Sequence, residues 1–159
     1  MPNKEVILTA EGYERLSEEI EYLSTIKREE ISERIKDARE FGDISENSEY
    51  NEAKNEQGKL EMRIGNLEMK LRNARVLSGA DIKTDVVGIG CKVHLKDEKL
   101  GESFRYMVVG SAEADPAKMK LSNESPVGKT IMGHKAGETV KVATPRGSAK
   151  YKIVSIKKG

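Results

Sequence analysis

The chain has 159 residues, of which 35% are charged and only 4% aromatic, with no Trp. That composition excludes one thick globular core and favours long solvated helices beside a small β-rich unit. The net charge of +1 conceals an asymmetry: residues 1–78 carry 13 Lys/Arg against 18 Asp/Glu, a net of −5, and residues 79–159 carry 15 against 9, a net of +6.

The first half reads as two helices. Thr9 precedes the first, and Tyr13, Leu16, Ile20 and Leu23 follow at steps of 3 and 4. Lys27 interrupts the stripe, which resumes at Ile31, Ile35 and Ala38. A helix from Ala10 to Phe41 would be roughly 45 Å long. The second stripe is more regular: Tyr50, Ala53, Gln57, Leu60, Ile64, Leu67, Leu71 and Ala74, with charges between them, as in a coiled coil. Lys27 and Gln57 are polar at seam positions, where such residues set register. Between the stripes Gly42, Asp43, Ser45, Asn47 and Ser48 are turn and cap formers. A short link between long helices makes an antiparallel hairpin with Asp43 and Glu46 at its tip.

Ser78-Gly79-Ala80-Asp81 ends the second helix and opens a different pattern. Val87, Ile89, Cys91, Val93 and Leu95 alternate as in a half-buried strand, and so do Phe104, Tyr106 and Val108, then Val140-Val142 and Tyr151-Ile153. Turn signals lie at Asp97-Glu98, Asp115-Pro116 and Pro145-Arg146-Gly147. One short helix is expected after Ser125-Pro126, with Ser125 as cap and Gly133 as terminator. The expected class is α+β: an antiparallel coiled-coil hairpin over 1–78, then a small antiparallel β domain with one short helix over 79–159.

No apolar run reaches the roughly 18 residues of a membrane span. The opening MPNKEVILTAEG lacks the apolar stretch and cleavage site of a secretory signal, and the single Cys91 has no intramolecular disulfide partner, so the cytoplasm is the expected compartment. The acidic half lacks the clustered cations that a grip on duplex phosphates needs. The lysines of the basic half are scattered along strands and turns, as on a solvated surface. His94 and His134 have no Cys or Asp cluster at ligand spacing and read as structural.

The tip stretch G-D-I-S-E-N-S-E-Y, from Gly42 to Tyr50, closely resembles the G-D-x-x-E-N-x-E-Y tip of the Gre transcript cleavage factors. Asn51–Gly58, Leu121–Gly133 and Val140–Gly147 are similar to other stretches of that family, and the likeness runs from Leu8 to Ile156. It implies a C-terminal domain similar to FKBP, and a protein that docks on RNA polymerase and enters its secondary channel. There, the resemblance implies, Asp43 and Glu46 help hold a Mg²⁺ shared with the polymerase active site and position water, so that the 3′ end of backtracked RNA is hydrolysed. It further implies RNA contact by Arg39 and Lys54 and polymerase docking through Glu124, Ser125 and Pro126. The expected role is that of a monomeric, cofactor-like stimulator of the polymerase's own nuclease, with no tight metal site of its own.

The chemistry suits these residue types. Two-metal phosphodiester hydrolysis clamps the attacking and leaving oxygens, and Mg²⁺ takes oxygen ligands, typically one or two carboxylates per site. Other readings stay open at this point. Asp43-x-x-Glu46 is also a helix-start signature, with Asp as cap and acid at the positive end of the dipole. Arg39 and Lys54 could be solvated charges paired with Glu40 or Glu52. Tyr50 suits packing better than base stacking, and Ser125 suits helix capping. A channel-plugging inhibitor, a coiled-coil adaptor and a peptidyl-prolyl isomerase are alternatives. Fold alone does not confer the last activity.

Overall fold

The computed structural model describes residues 5–40, 48–145 and 147–159. Asp43 and Glu46 therefore lie outside the described residues. The chain forms two compact units, one over Tyr13–Asn73 and one joining the residues up to Gly12 with Ala74–Gly159.

The first unit is the hairpin. Its first arm comprises α1 (Ala10–Tyr22, whose opening residues belong to the other unit), a π-helical turn at Leu23–Lys27, and α2 (Arg28–Glu40). The second is a single helix, α3 (Ser48–Arg72). Ile31 and Ile35 of α2 pack with Ala53, Leu60 and Ile64 of α3, and Leu23 and Tyr50 extend the cluster. Each buried Ile or Leu side chain among them contributes about 1.5–3 kcal/mol. From Leu23 to Ile35 and from Tyr50 to Ile64 the seam read from the sequence is thus the seam of the structure, whereas Tyr13, expected in it, is 38% exposed and Leu16 and Ile20 lie outside the buried cluster. The π-turn explains the interruption at Lys27. Leu23, Lys27, Ile31 and Ile35 follow at three successive steps of four, which outrun a 3.6-residue turn by about one residue. One wider turn absorbs the surplus. Lys27 sits in that turn, half-buried, beside Glu30 at 3.7 Å, and Ile26 is thrown outward, 52% exposed.

Charges outside the seam pair across the helices. Arg28 meets Glu61 with two bonds of 2.8 and 2.9 Å, Arg34 reaches Glu56 and Glu49, and Arg63 reaches Glu19 at 2.9 Å. These pairs are solvent-exposed and screened, so they select register more than they stabilise.

The helix ends earlier than the sequence suggests. Ala74, expected as the last seam residue, instead opens strand β2 (Ala74–Leu77), which pairs in parallel with β1 (Val6–Thr9). The reason is tertiary: the V-I-L-T and A-R-V-L runs bond to each other, which no local pattern announces. The expected division at 78/79 and the observed one differ accordingly, because both strands join the second unit.

That unit is built on a sheet of β3 (Cys91–Asp97), β4 (Ser103–Val109), β5 (Lys120–Ser122), β6 (Thr139–Thr144) and β7 (Gly147–Lys158), in the order β5-β4-β3-β7-β6. Three pairings are antiparallel, as expected. The β4–β5 pairing is parallel, because the chain doubles back through residues 110–119 before β5 runs alongside β4. The strand expected from Val87 begins only at Cys91; Val87 is core, but its N–H bonds the carbonyl of His134 rather than a ladder. Val93, Leu95, Val108, Val140, Val142 and Ile153 form the inner face, closed by Ile131 of α4 (Pro126–Ile131). Cys91 is a buried core residue, as its alternation predicted.

Candidate functional site

Arg39 lies in the last turn of α2, and Tyr50 and Lys54 in the first turns of α3, so these three adjoin residues 41–47 on both sides. The Arg39 guanidinium sits over the Tyr50 ring, 5.7 Å from its centroid, a cation–π arrangement. A hydrogen bond from Arg39, reinforced by the charges of Arg39 and Lys54, holds the Tyr50 hydroxyl below its ordinary pKa. Lys54 Nζ donates to Gln57 Oε1 at 3.2 Å. Among the described residues neither cation forms an ion pair with Glu40 or Glu52. Tyr50 does pack, as expected, and its outer face carries Arg39. Two exposed cations, one from each helix, thus adjoin the acidic tip sequence, Arg39 seated on Tyr50 and Lys54 bonded to Gln57 one turn along the same helix.

Glu124, Ser125 and Pro126 precede or open α4. Ser125 Oγ accepts the Gly128 N–H at 3.1 Å and donates to the Ser122 carbonyl at 2.7 Å, and Pro126 takes the first helical position. A side chain on Gly128 would lie 1.9 Å from the Ser122 carbonyl oxygen, so the cap closes too tightly for any other residue. Ser125 is therefore engaged in capping. Glu124 is exposed, its Oε2 accepting from Ser111 Oγ at 2.8 Å and its N–H donating to Ser122 Oγ at 3.0 Å. The cleft beside it is floored by Val6, Ile7, Ile89 and Ala112.

One functional candidate escaped the sequence. Glu113 is buried beside Lys120, with Nζ 3.8 Å from Oε1 and side chains 6% and 9% exposed. Its Oε2 accepts the Thr9 backbone N–H at 3.1 Å and its Oε1 accepts the Thr9 hydroxyl. Thr9 Oγ1 in turn accepts the Gly12 N–H at 3.1 Å, capping α1. A buried carboxylate thus fixes the positive end of the helix. Thr9 was legible as a cap; a partner 104 residues away was not.

His134 Nδ1 lies 2.6 Å from Glu138 Oε2, and that bond, with the Lys135 N–H, holds the Glu138 carboxyl below its ordinary pKa. Among the described residues no group of three or more His, Cys, Asp or Glu is gathered for a metal, and no helix is long and apolar enough to cross a membrane.

Two family descriptions match successive stretches of the chain. The family described as transcription elongation factor, N-terminal, matches residues 6–76, and that described as transcription elongation factor, GreA/GreB, C-term, matches residues 82–158. The chain belongs to the GreA/GreB family. Similar relatives include the transcription elongation factor GreA of Caldanaerobacter subterraneus subsp. tengcongensis, 55% identical over 98% of this chain and 99% of that protein. GreA of Acetivibrio thermocellus is 56% identical over 98% of each. Among solved structures, GreA factor homolog 1 of Thermus thermophilus is 34% identical, covering 97% of this chain and 99% of that one at a TM-score of 0.45. For this GreA/GreB member the Arg39–Tyr50–Lys54 cluster falls within the first matched segment and the Glu113 and Glu124 sites within the second.

Proposed function

We propose that this elongation factor binds RNA polymerase, inserts its hairpin into the secondary channel, and stimulates the polymerase's own cleavage of backtracked RNA, acting as a soluble cytoplasmic monomer. The observation that carries the reading is the pair of exposed cations, Arg39 seated on Tyr50 at the end of one helix and Lys54 near the start of the other, bracketing an acidic tip sequence in a chain matched by both GreA/GreB segments.

Asp43 and Glu46 fit Mg²⁺ by donor chemistry, since both offer hard carboxylate oxygens; two carboxylates make an incomplete shell, and the polymerase supplies the rest. Mg²⁺, when bound, activates water and neutralises charge on the scissile phosphate. The chain's own residues bring the carboxylates in, with Arg39 and Lys54 meeting RNA phosphates beside them. Arg39 is held to Tyr50 before RNA arrives, so less side-chain freedom is lost on contact. Glu124, presented by Ser111 and Ser122, docks on polymerase, while Ser125 and Pro126 hold the helix behind it.

The direct test adds the protein and Mg²⁺ to a stalled, backtracked polymerase complex. Release of a 3′-terminal RNA fragment supports the proposal. Inhibition of the complex with no release would favour a channel-plugging factor instead.

A further inference from the structure

We propose that the outward face of the five-stranded sheet binds the phosphate backbone of double-stranded nucleic acid. The lysines that look scattered in the sequence are gathered by the strand register. On that face Lys92 stands opposite Lys157, Lys96 opposite Lys152, and Lys141 opposite Lys150, while His94 stands opposite Arg105. The lysines and Arg105 are exposed. None forms an ion pair with a described residue. The outward positions of β3, β4, β6 and β7 hold no Asp or Glu. Acids border the face only in the turn between β3 and β4, where Glu102 precedes Ser103 and where the Glu98 N–H bonds the Lys150 carbonyl and Glu98 lines a cleft with Lys141 and Lys150.

Like charges directly opposite each other on a sheet destabilise it, and opposite charges stabilise it. Three Lys–Lys pairs in one face therefore run against stability. The same chain pairs Arg28, Arg34 and Arg63 with glutamates across the hairpin, so acidic partners are used elsewhere. A polyanionic ligand resolves the conflict.

The geometry favours a duplex. Strand spacing puts β4 and β6 about 14 Å apart, and Lys92 and Lys96 are about 13 Å apart along β3. Duplex DNA carries one charge per roughly 1.7 Å of axis, so that span offers about eight phosphates, about four of them on the facing side. The rings of Phe104, Tyr106 and Tyr151 belong to the other face, opposite Leu95, Val93 and Val140. Without an outward ring there is no platform on which unpaired bases could stack, so the surface suits backbone contact without sequence reading. No hairpin residue takes part, so this inference stands apart from the cleavage proposal.

The test measures binding of the full-length protein to a labelled mixed-sequence DNA duplex as a function of salt. About four phosphate contacts predict a slope of log K against log salt near −3.6, roughly a 150-fold loss from 50 to 200 mM. Lys92→Gln/Lys96→Gln/Lys152→Gln/Lys157→Gln should weaken low-salt binding at least about tenfold and more than halve the slope. Because two like-charge pairs vanish, the same variant should melt at a higher temperature than the parent. Lys141→Glu, which restores an opposite-charge pair with Lys150, should act the same way with one change. Unchanged affinity and slope in both variants would overturn the proposal. So would tighter binding of a single strand of equal length, or displacement of the duplex by polyglutamate at equal charge concentration.

Discussion

Replacing Glu113 with Gln tests how the start of the first helix is held. The wild-type carboxylate accepts two bonds from Thr9 and lies beside the ammonium of Lys120, with both side chains nine-tenths buried. The amide keeps the volume but has one acceptor oxygen, so one Thr9 donor loses its partner. A hydrogen bond to a charged group contributes about 1.5–3 kcal/mol. The ammonium also loses its counter-charge. A buried ion left alone costs up to about 3–5 kcal/mol, but a 3.8 Å contact is loose and only part of that applies. The expected destabilisation is about 2–4 kcal/mol. Urea unfolding of Glu113→Gln, Lys120→Met and the double variant should give a coupling above about 1 kcal/mol, with the double variant regaining part of the loss. Amide exchange at Thr9 should speed up in Glu113→Gln. Gly12→Ala should do the same, because its Cβ would lie 2.4 Å from the Glu113 carboxyl carbon and push the flexible end away. A Glu113→Gln protein within about 0.5 kcal/mol of wild type, with Thr9 exchange unchanged, would refute this reasoning.

Tyr50 should ionise at lower pH than Tyr151, since the Arg39 bond lowers the former while burial and the nearby Asp97 raise the latter. Phenolate absorbance in single Tyr→Phe variants resolves the order, and Arg39→Ala should move Tyr50 upward. Ser125→Ala should cost about 0.5–2 kcal/mol through loss of the α4 cap while leaving polymerase affinity unchanged, whereas Glu124→Lys should weaken affinity without loss of stability. Arg39→Ala/Lys54→Ala should reduce cleavage of backtracked complexes more than polymerase binding and flatten the salt dependence of cleavage. Equal losses in the two assays would make them docking residues.

Features with a local cause were legible in the sequence. The α3 seam from Tyr50 to Leu67 could be read because its periodicity is that of the packing, and the Ser125–Gly133 helix because cap, proline and terminator lie within one short stretch. Features set by distant partners were not. The β1–β2 pair depends on segments at opposite ends of the hairpin sequence, and the Thr9–Glu113 bond spans most of the chain. The lysine face shows the same thing: its members look dispersed until strand register sets Lys92 against Lys157. The π-turn was half legible, since Lys27 marked the fault in the stripe without revealing the wider turn that repairs it. Arg39 and Lys54 could be named from family resemblance, but the seat of Arg39 on the Tyr50 ring and the bond of Lys54 to Gln57 could not.

The central claim is that Asp43 and Glu46 act as oxygen donors rather than as a helix cap. Asp43→Asn with Glu46→Gln preserves size and removes two charges, and Asn caps a helix as well as Asp does. The decisive measurement is the rate of RNA 3′-end cleavage in a backtracked polymerase complex with this double variant, alongside its competition with wild-type factor. The account predicts near-total loss of stimulated cleavage, retained competition, unchanged helicity, and partial rescue of each single variant by higher Mg²⁺. A double variant that cleaves at the wild-type rate would contradict it.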